Sequence, residues 1–394
     1  MICVYEDEGW SGLSVLGDLR PVFDLRCGRR TLLEKLRLLY PGEEFQLQVR
    51  DELAELTRER HSGCRVNEPL TGGVFLSGRA IFEKRIAPAG PDAVLVAGEE
   101  VVGFRLRSAR DSEFESLAGR AAELAVESVQ AKVIRYPWEL VDANPGELER
   151  ELAGRSGWAA AGRGRREAGV MVVGPLTAFR LGRGARVWPG AVISTETGPV
   201  LVDQDAQVRP GSFVEGPCYI GPGTVIDGAK VRPGCSFGPG CRIGGEVETS
   251  LFQGFANKHH DGFLGHAFVG EWVNLGAGTT NSDLKNAYEP VRVWLDGREI
   301  DSGRLKVGCF IGDHAKTAIG TLLNTGAVVG SFANWFESGL SPKAIPRFAR
   351  GSVERLTPAV ALSTARVVMA RRGHQPSPAW ERVVRHLHRY RDRG

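Results

Sequence analysis

Between about residue 170 and residue 330, aliphatic residues return every six positions, and few architectures tolerate that period. Val202, Val208, Val214, Ile220 and Ile226 mark it, with Gly, Pro or small polar residues following, as in Ile220-Gly-Pro-Gly-Thr-Val. The register slips by one and continues at Val231, Phe237 and Ile243, then at Phe263, Val269 and Leu275, and again at Ile311 and Val329. A period of six is neither the 3.6 of a helix nor the alternation of a strand in a hairpin. It fits a left-handed parallel β-helix of hexapeptide repeats, in which each hexad makes one flat face and a corner, and three faces close a coil. Corners favour glycine, which tolerates the tight backbone there. The 51 glycines in 394 residues exceed the usual share of roughly 7%. A flexible Gly-rich linker is the alternative, and it would not keep aliphatic residues in step.

Other textures flank the repeats. Residues 1–158 alternate apolar and amphipathic segments, the mark of an α/β domain. Strands are expected at 93–97 and 101–106 around the turn Gly98-Glu99-Glu100, and helices at 31–39 and 113–126. Asn144-Pro145 followed by Glu147 and Glu149 reads as a helix start, with an end near Gly154. Residues 159–167, rich in Gly, Ala and Arg, form a linker or a divergent first turn of the repeats. The expected division is therefore an α/β domain over 1–165, the β-helix over 166–350, and a basic helical tail over 351–394. Helices at 368–372 and 380–390 carry Arg382, Arg385, Arg389, Arg391 and Arg393. We expect that tail to lie over the end of the β-helix with its arginines in solvent.

Composition excludes several classes. Fifty Lys and Arg against 47 acids leave a net charge of +3, giving no reason to expect nucleic acid or a membrane surface as partner. The first residues are acidic where a secretory leader is basic, and no apolar run reaches the roughly 20 residues of a membrane span. The seven cysteines are dispersed without a CxxC pair, so reduced thiols and a cytoplasmic location are expected. Cys235 and Cys241 read as small core side chains of the repeats.

The rhythm breaks twice, at residues 249–263 and again from about 276 to 303. The first break gathers His259, His260 and Asp261, and breaks in a rigid scaffold are where chemistry concentrates. The run His260-Asp-Gly-Phe-Leu-Gly-His-Ala-Phe-Val-Gly-Glu-Trp-Val-Asn-Leu-Gly-Ala-Gly-Thr279 resembles the catalytic segment of the bifunctional N-acetylglucosamine-1-phosphate uridyltransferase/glucosamine-1-phosphate acetyltransferase family. The whole chain is similar to two-domain relatives described as sugar nucleotidyltransferases. The resemblance implies that His260 is the general base that deprotonates an acceptor amine, a task suited to a neutral imidazole. It implies that Asn274 positions the acceptor sugar, and that the Ala277 N–H meets the thioester carbonyl. Thr279 and Lys285 fall near the acetyl-CoA groove, with Lys285 reaching toward a neighbouring subunit of a homotrimer. Arg232, in Val231-Arg-Pro-Gly, matches an arginine that binds the sugar phosphate. Two family residues differ: a phosphate-holding Tyr is Phe263 and a Lys is Ser250. The spacing of His260 and His266 does not match the paired zinc ligands of β-helix carbonic anhydrases, so no metal is expected there. His314 is a candidate for lining the coenzyme A groove.

In the N-terminal region the family carries a glycine-rich loop near residue 10 that cradles nucleotide phosphates. Here that stretch reads Trp10-Ser-Gly-Leu-Ser-Val-Leu-Gly-Asp-Leu-Arg-Pro and lacks the second glycine spacing. Arg20, Arg26 and Lys35, within an Arg-Pro…Leu-Arg-x-Gly…Glu-Lys signature of the relatives, either contact phosphate or make a solvated basic surface. Arg79, in Gly73-Val-Phe-Leu-Ser-Gly-Arg79, stands where the family holds Mg²⁺ with an Asp. The segment Tyr136-Pro-Trp-Glu-Leu140 reads as packing. The expectation is a nucleotidyltransferase-like (Rossmann-like) α/β domain joined to a β-helix acyltransferase that moves an acyl group from acetyl-CoA to an amino sugar or sugar phosphate. Mg²⁺ enters only if the first domain is active. The alternatives are a bifunctional enzyme making a nucleotide sugar, and a non-catalytic nucleotide-sugar-binding protein.

Overall fold

The computed structural model describes residues 1–108, 123–153 and 164–390. The N-terminal unit is a seven-stranded mixed sheet. Its strands are β1 (Ile2–Tyr5), β2 (Phe45–Gln48), β3 (Arg65–Val66), β4 (Gly73–Ser77), β5 (Ala93–Ala97), β6 (Glu100–Leu106) and β7 (Ala125–Ser128), ordered β7-β5-β6-β4-β1-β2-β3. The interior strand β1, Ile-Cys-Val-Tyr, is buried throughout and pairs in parallel with both β2 and β4, as a doubly covered strand should. Strands β5 and β6 form the antiparallel hairpin read from the sequence. Helix α1 (Leu32–Leu39) starts at a reciprocal cap in which Thr31 and Glu34 bond each other's backbone.

Two sequence expectations change here. Of the helix expected at 113–126, residues 113–122 lie outside the described residues, and residues 125 and 126 belong to strand β7. The helix expected from Asn144 begins earlier, as α3 (Pro137–Ala153). Pro137 sits in its first turn, where a missing N–H is harmless. Asn144 is no cap. Its buried side chain accepts from the Gly28 N–H at 2.6 Å and donates to the Gly234 carbonyl at 2.8 Å. Trp138 is buried, stacked on Tyr136 and near Phe310, so this segment is packing.

From the strand Arg165–Arg166 to the strand Ala349–Arg350 the chain winds as a left-handed parallel β-helix of triangular section. Face A carries Arg186–Val187, Gln207–Val208, Val225–Ile226, Arg242–Ile243 and Asn257–Lys258 in parallel register; face B carries Val192–Ser194, Phe213–Glu215, Lys230–Val231, Glu246–Glu248 and Phe263–Gly265. Face C is a nine-stranded sheet running to Ala344–Ile345. The inward side chains are mostly Val, Ile, Leu, Phe, Ala and Cys, and they make one continuous core. Cys218 stands in register with Cys235, both fully buried.

One edge of the prism is unusual. At the corner between faces C and A, Phe255, Trp272, His314, Phe332 and Phe348 all have φ between 54° and 62°, where side chains are disfavoured. Their rings form a ladder: Phe255 stacks on Trp272 at 4.4 Å, His314 follows at 6.2 Å, and Phe332 and Phe348 continue at 5.0 Å steps. The C-terminal helices α4 (Pro358–Ala370) and α5 (Pro378–Arg389) close over this ladder. Trp380 meets His314 and Phe332, and His388 meets Phe348. The tail therefore lies along the side of the prism rather than over its end. It also reaches the first domain, where Arg382 pairs with Glu55 of helix α2 (Asp51–Arg60). Amphipathic shape decided the outcome: the buried stripe of α5 includes Trp380, Val383 and Val384.

The first domain covers face C, packing Leu13, Val15 and Trp138 against Leu251, Phe268, Phe310 and Val328. Buried ion pairs fix the junction. Arg20 bonds Asp313 and Glu271 at 3.0 Å, and Asp18 bonds Ser331 at 2.7 Å and Arg347 at 2.9 Å.

Candidate functional site

The first break in the sequence rhythm is no break in the fold. Leu251–Phe252 and Asn257–Lys258 continue faces C and A, and residues 259–262 form a corner of four residues leading to face B. The rhythm fails to show because Lys258 occupies an inward position, directly above Ile243 of the core. The ammonium of Lys258 donates to the carbonyls of Gly244, at 3.0 Å, and His260. Burial pushes its pKa down to about 8. Gly245 leaves the room it needs, since a Cβ there would lie 2.7 Å from Nζ. The second break is real. It carries an antiparallel hairpin, Arg292–Leu295 with Arg298–Asp301, out of the stack.

His260 is exposed on its corner, with the ring of His259 edge-on at 5.3 Å. The Gly278 N–H donates to the Asp261 carbonyl at 3.0 Å, so the Ala277 corner lies one coil above His260. Within this corner Gly276, Gly278 and Thr279 all donate their backbone N–H groups. The Ala277 N–H has no acceptor among the described residues. Earlier coils place Pro189 and Pro210 at the same corner position, where no N–H exists. Asn274 is exposed on face A between Asn257 and Lys316. Its Oδ1 accepts from Asn257 Nδ2 at 3.2 Å, and Asn257 Oδ1 accepts from Arg372 at 2.8 Å. His260, Asn274 and Ala277 thus share one edge of two successive coils.

Other expected residues stand elsewhere. Thr279 is fully buried, its hydroxyl 2.8 Å from that of Thr317, so it shapes the corner from within and does not face a groove. Lys285 lies on the inserted loop and donates to the Pro290 carbonyl at 2.9 Å. Arg232 sits on the opposite corner of face B between Glu215, at 2.9 Å, and Glu246, at 3.3 Å, which already balance its charge. Ser250 is buried and bonded to the Glu248 carbonyl. His314 is a rung of the aromatic ladder, 2% exposed, so it lines no groove.

In the first domain the basic residues are structural. Arg20 is locked to Asp313 and Glu271, and Lys35 is buried against Glu147 and Glu151. Arg26 is 9% exposed and donates to the Arg29 carbonyl. None of the three presents its charge to a phosphate. Arg79 lies flat on the loop after β1: a Cβ at Gly9 would sit 2.4 Å from its Nε. It pairs with Asp7 at 2.6 Å and Glu100 at 3.3 Å. The residues present do not fit Mg²⁺, because a fixed guanidinium already occupies the space between the two acids. Among the described residues no group of three or more His, Cys, Asp or Glu is placed to hold an ion.

Sequence reasoning missed Lys258, Asn257 and Arg372. Lys258 had a signal, a charge at a position whose register neighbours are aliphatic. Arg372 had none, since only the path of α4 brings it to face A. A pair on the far corner of face B was also missed: His266 Nδ1 and Asp283 Oδ2 are 2.8 Å apart. Burial alone would raise the Asp283 carboxyl, but His266 and Lys306 hold it below its ordinary value.

Fold and site define a class, proteins that join a nucleotidyltransferase-type α/β domain to a left-handed β-helix with a histidine corner. Within that class the chain is similar, over about a third of its length, to bifunctional GlmU-type proteins. Residues 2–156 match the family described as sugar nucleotidyl transferase. The chain is 34% identical over 148 residues to the bifunctional sugar-1-phosphate nucleotidylyltransferase/acetyltransferase of Sulfurisphaera tokodaii, covering 34% of this chain and 35% of that protein. It is 34% identical over 166 residues to the bifunctional protein GlmU of Azorhizobium caulinodans, covering 39% and 34%. These alignments span 35% and 34% of the relatives' own lengths. A solved structure of Arabidopsis UDP-N-acetylglucosamine acyltransferase aligns over 53% of this chain and 75% of its own, at 11% identity and a TM-score of 0.20.

Proposed function

We propose that the chain transfers an acyl group, acetyl in the simplest case, from coenzyme A to an amino sugar or sugar phosphate at the corner of His260. One observation carries this reading: the exposed imidazole of His260 lies one coil below the unengaged N–H of Ala277. A base and an oxyanion donor on adjacent corners are what acyl transfer from a thioester needs. The acceptor nitrogen forms the new bond to the carbonyl carbon while His260 takes its proton. The Ala277 N–H faces the oxygen that gains charge. The C–S bond then breaks, and the imidazolium returns a proton to the departing thiolate. Asn274, on the same edge, orients the acceptor. Arg79 weighs against Mg²⁺-dependent nucleotidyl transfer in the first domain, so acyl transfer is the activity we assign.

We read the working unit as a homotrimer. The later coils leave Ile319 80% exposed and Leu340 61% exposed, apolar surface that a neighbouring prism would cover.

The test is thiol release from acetyl-CoA with a panel of amino-sugar phosphates. His260→Ala is expected to lower turnover by roughly 10²- to 10⁴-fold, while His259→Ala stays within a few-fold of wild type. Unchanged thiol release in His260→Ala rules the mechanism out.

A further inference from the structure

In a stack with one residue per coil at each position, outward side chains form columns, and one column of face A is basic. In register from coil to coil it runs Arg242, Asn257, Asn274, Lys316 and Asn334. Steps are about 4.8 Å, so Arg242 and Lys316 lie roughly 14 Å apart. No acid stands in this run. The C-terminal helix adds a cation from outside the repeat. Arg372, just past α4, donates to the Gly240 carbonyl and to Asn257 Oδ1, both at 2.8 Å. Arg242 reaches the same Gly240 carbonyl at 3.3 Å.

Two guanidiniums therefore converge on one carbonyl oxygen. Arg242 uses only Nη1, toward the carbonyls of Gly223, Gly240 and Cys241, which leaves its Nε and Nη2 donors unengaged. Neither arginine, nor Lys316, has a carboxylate within ion-pairing distance among the described residues. Lys316 donates only to the His314 carbonyl, at 2.9 Å. Burial and the repulsion of Arg372 hold Arg242 below its ordinary pKa, and burial pushes Lys316 down to about 8. Like charges drawn together in partial burial without a counter-ion are unfavourable unless an anion joins them. Planar guanidinium donors suit phosphate oxygens best.

We propose that this column is an anion site: Arg242 and Arg372 bind a phosphate or diphosphate group of a ligand whose other end passes Asn274 to the His260 corner. The proposal deepens the acyl-transfer reading and rests on it for the ligand's destination. It supplies the phosphate contact that Ser250 and Phe263 do not make. The same chemistry has two sources, the diphosphate of the acyl-CoA donor and the phosphate of a sugar acceptor.

The experiment titrates the full chain with inorganic pyrophosphate and with coenzyme A by calorimetry, at low and high salt. Arg242→Gln and Arg372→Gln are each expected to weaken both ligands about tenfold, with binding in the double variant too weak to measure. Raising salt weakens the wild type alone. Arg209→Gln is the control, because Arg209 already pairs with Asp227. Melting temperature shows whether Arg372→Gln loosens α4, and Arg242→Gln carries the test without that complication. In steady-state assays a raised KM for acyl-CoA alone assigns the site to the donor. A raised KM for the sugar phosphate alone assigns it to the acceptor. Equal binding of pyrophosphate and coenzyme A by wild type and double variant overturns the proposal. So does no binding of either to the wild type. If no acyl donor releases thiol but calorimetry still shows the loss, the anion site stands and the acyl-transfer reading fails.

Discussion

A lysine inside the prism is the most consequential single residue here. Lys258 takes a place where neighbouring coils put Ile243 and Leu275, and its ammonium holds the carbonyl of His260 from beneath. It also leaves a mark on stability. Lys258 and Lys316 titrate near 8 in the folded chain, against roughly 10.4 when unfolded. Between those values the unfolded chain holds protons that the folded chain has released, so both lysines add stability as pH rises across that window. Six buried thiols act the other way. Burial lifts Cys27, Cys235 and Cys309 to about 12 and Cys241 to about 11, with Cys3 and Cys218 also raised. Above about pH 9 the unfolded thiols ionise and the folded ones do not, so their stability is lost as pH rises. Six outweigh two. The melting temperature should fall above about pH 9, and fall more steeply in Lys258→Met. A flat or rising profile in the wild type contradicts this.

At the scale of elements, the aromatic edge decides where the C-terminal helices go. His314 is the odd rung: both ring nitrogens are buried without a hydrogen-bond partner among the described residues, and burial drives its pKa well below the ordinary value. His314→Phe keeps the stack and removes those unsatisfied atoms. It should raise stability by about 1–3 kcal/mol in denaturant unfolding and leave thiol release unchanged. A lower midpoint would mean the imidazole has a partner here. This edge also shows the reach of sequence reading. Inward aliphatics were legible because each coil repeats one demand, that a side chain fill the same triangular section. Corners were not legible, since residues as different as Asp205, Trp272 and His314 share the left-handed backbone there. His260 and Asn274 were legible through motif, whereas Arg372 arrives by the path of a helix that no repeat encodes.

At the scale of the molecule, the two domains share a charged seam. Arg20 read as either a phosphate contact or a solvated basic residue, because arginine and lysine in the relatives' signature take both roles. Its partner Asp313 lies 293 residues away along the chain, beyond any local pattern. Lys35 was misread for the same reason, with Glu147 and Glu151 supplied by α3. Burial holds the Asp313 carboxyl above its ordinary value despite Arg20. Arg20→Met strands Asp313 and Glu271 and should cost about 3–5 kcal/mol. Urea unfolding followed by Trp138 fluorescence, set against that of α5, should then show the domains separating in two steps. A single transition at the wild-type midpoint would show that the seam adds nothing.

The coil spacing has a last consequence. Because faces advance only in whole turns, the gap between the Arg242 pair and the His260 corner is a fixed count of rungs on a ruler graduated at about 4.8 Å. A prism built this way can change the ligand length it fits only by gaining or losing an entire turn. A graft of one additional coil between residues 243 and 257 would offer the same chemistry to a molecule one graduation longer.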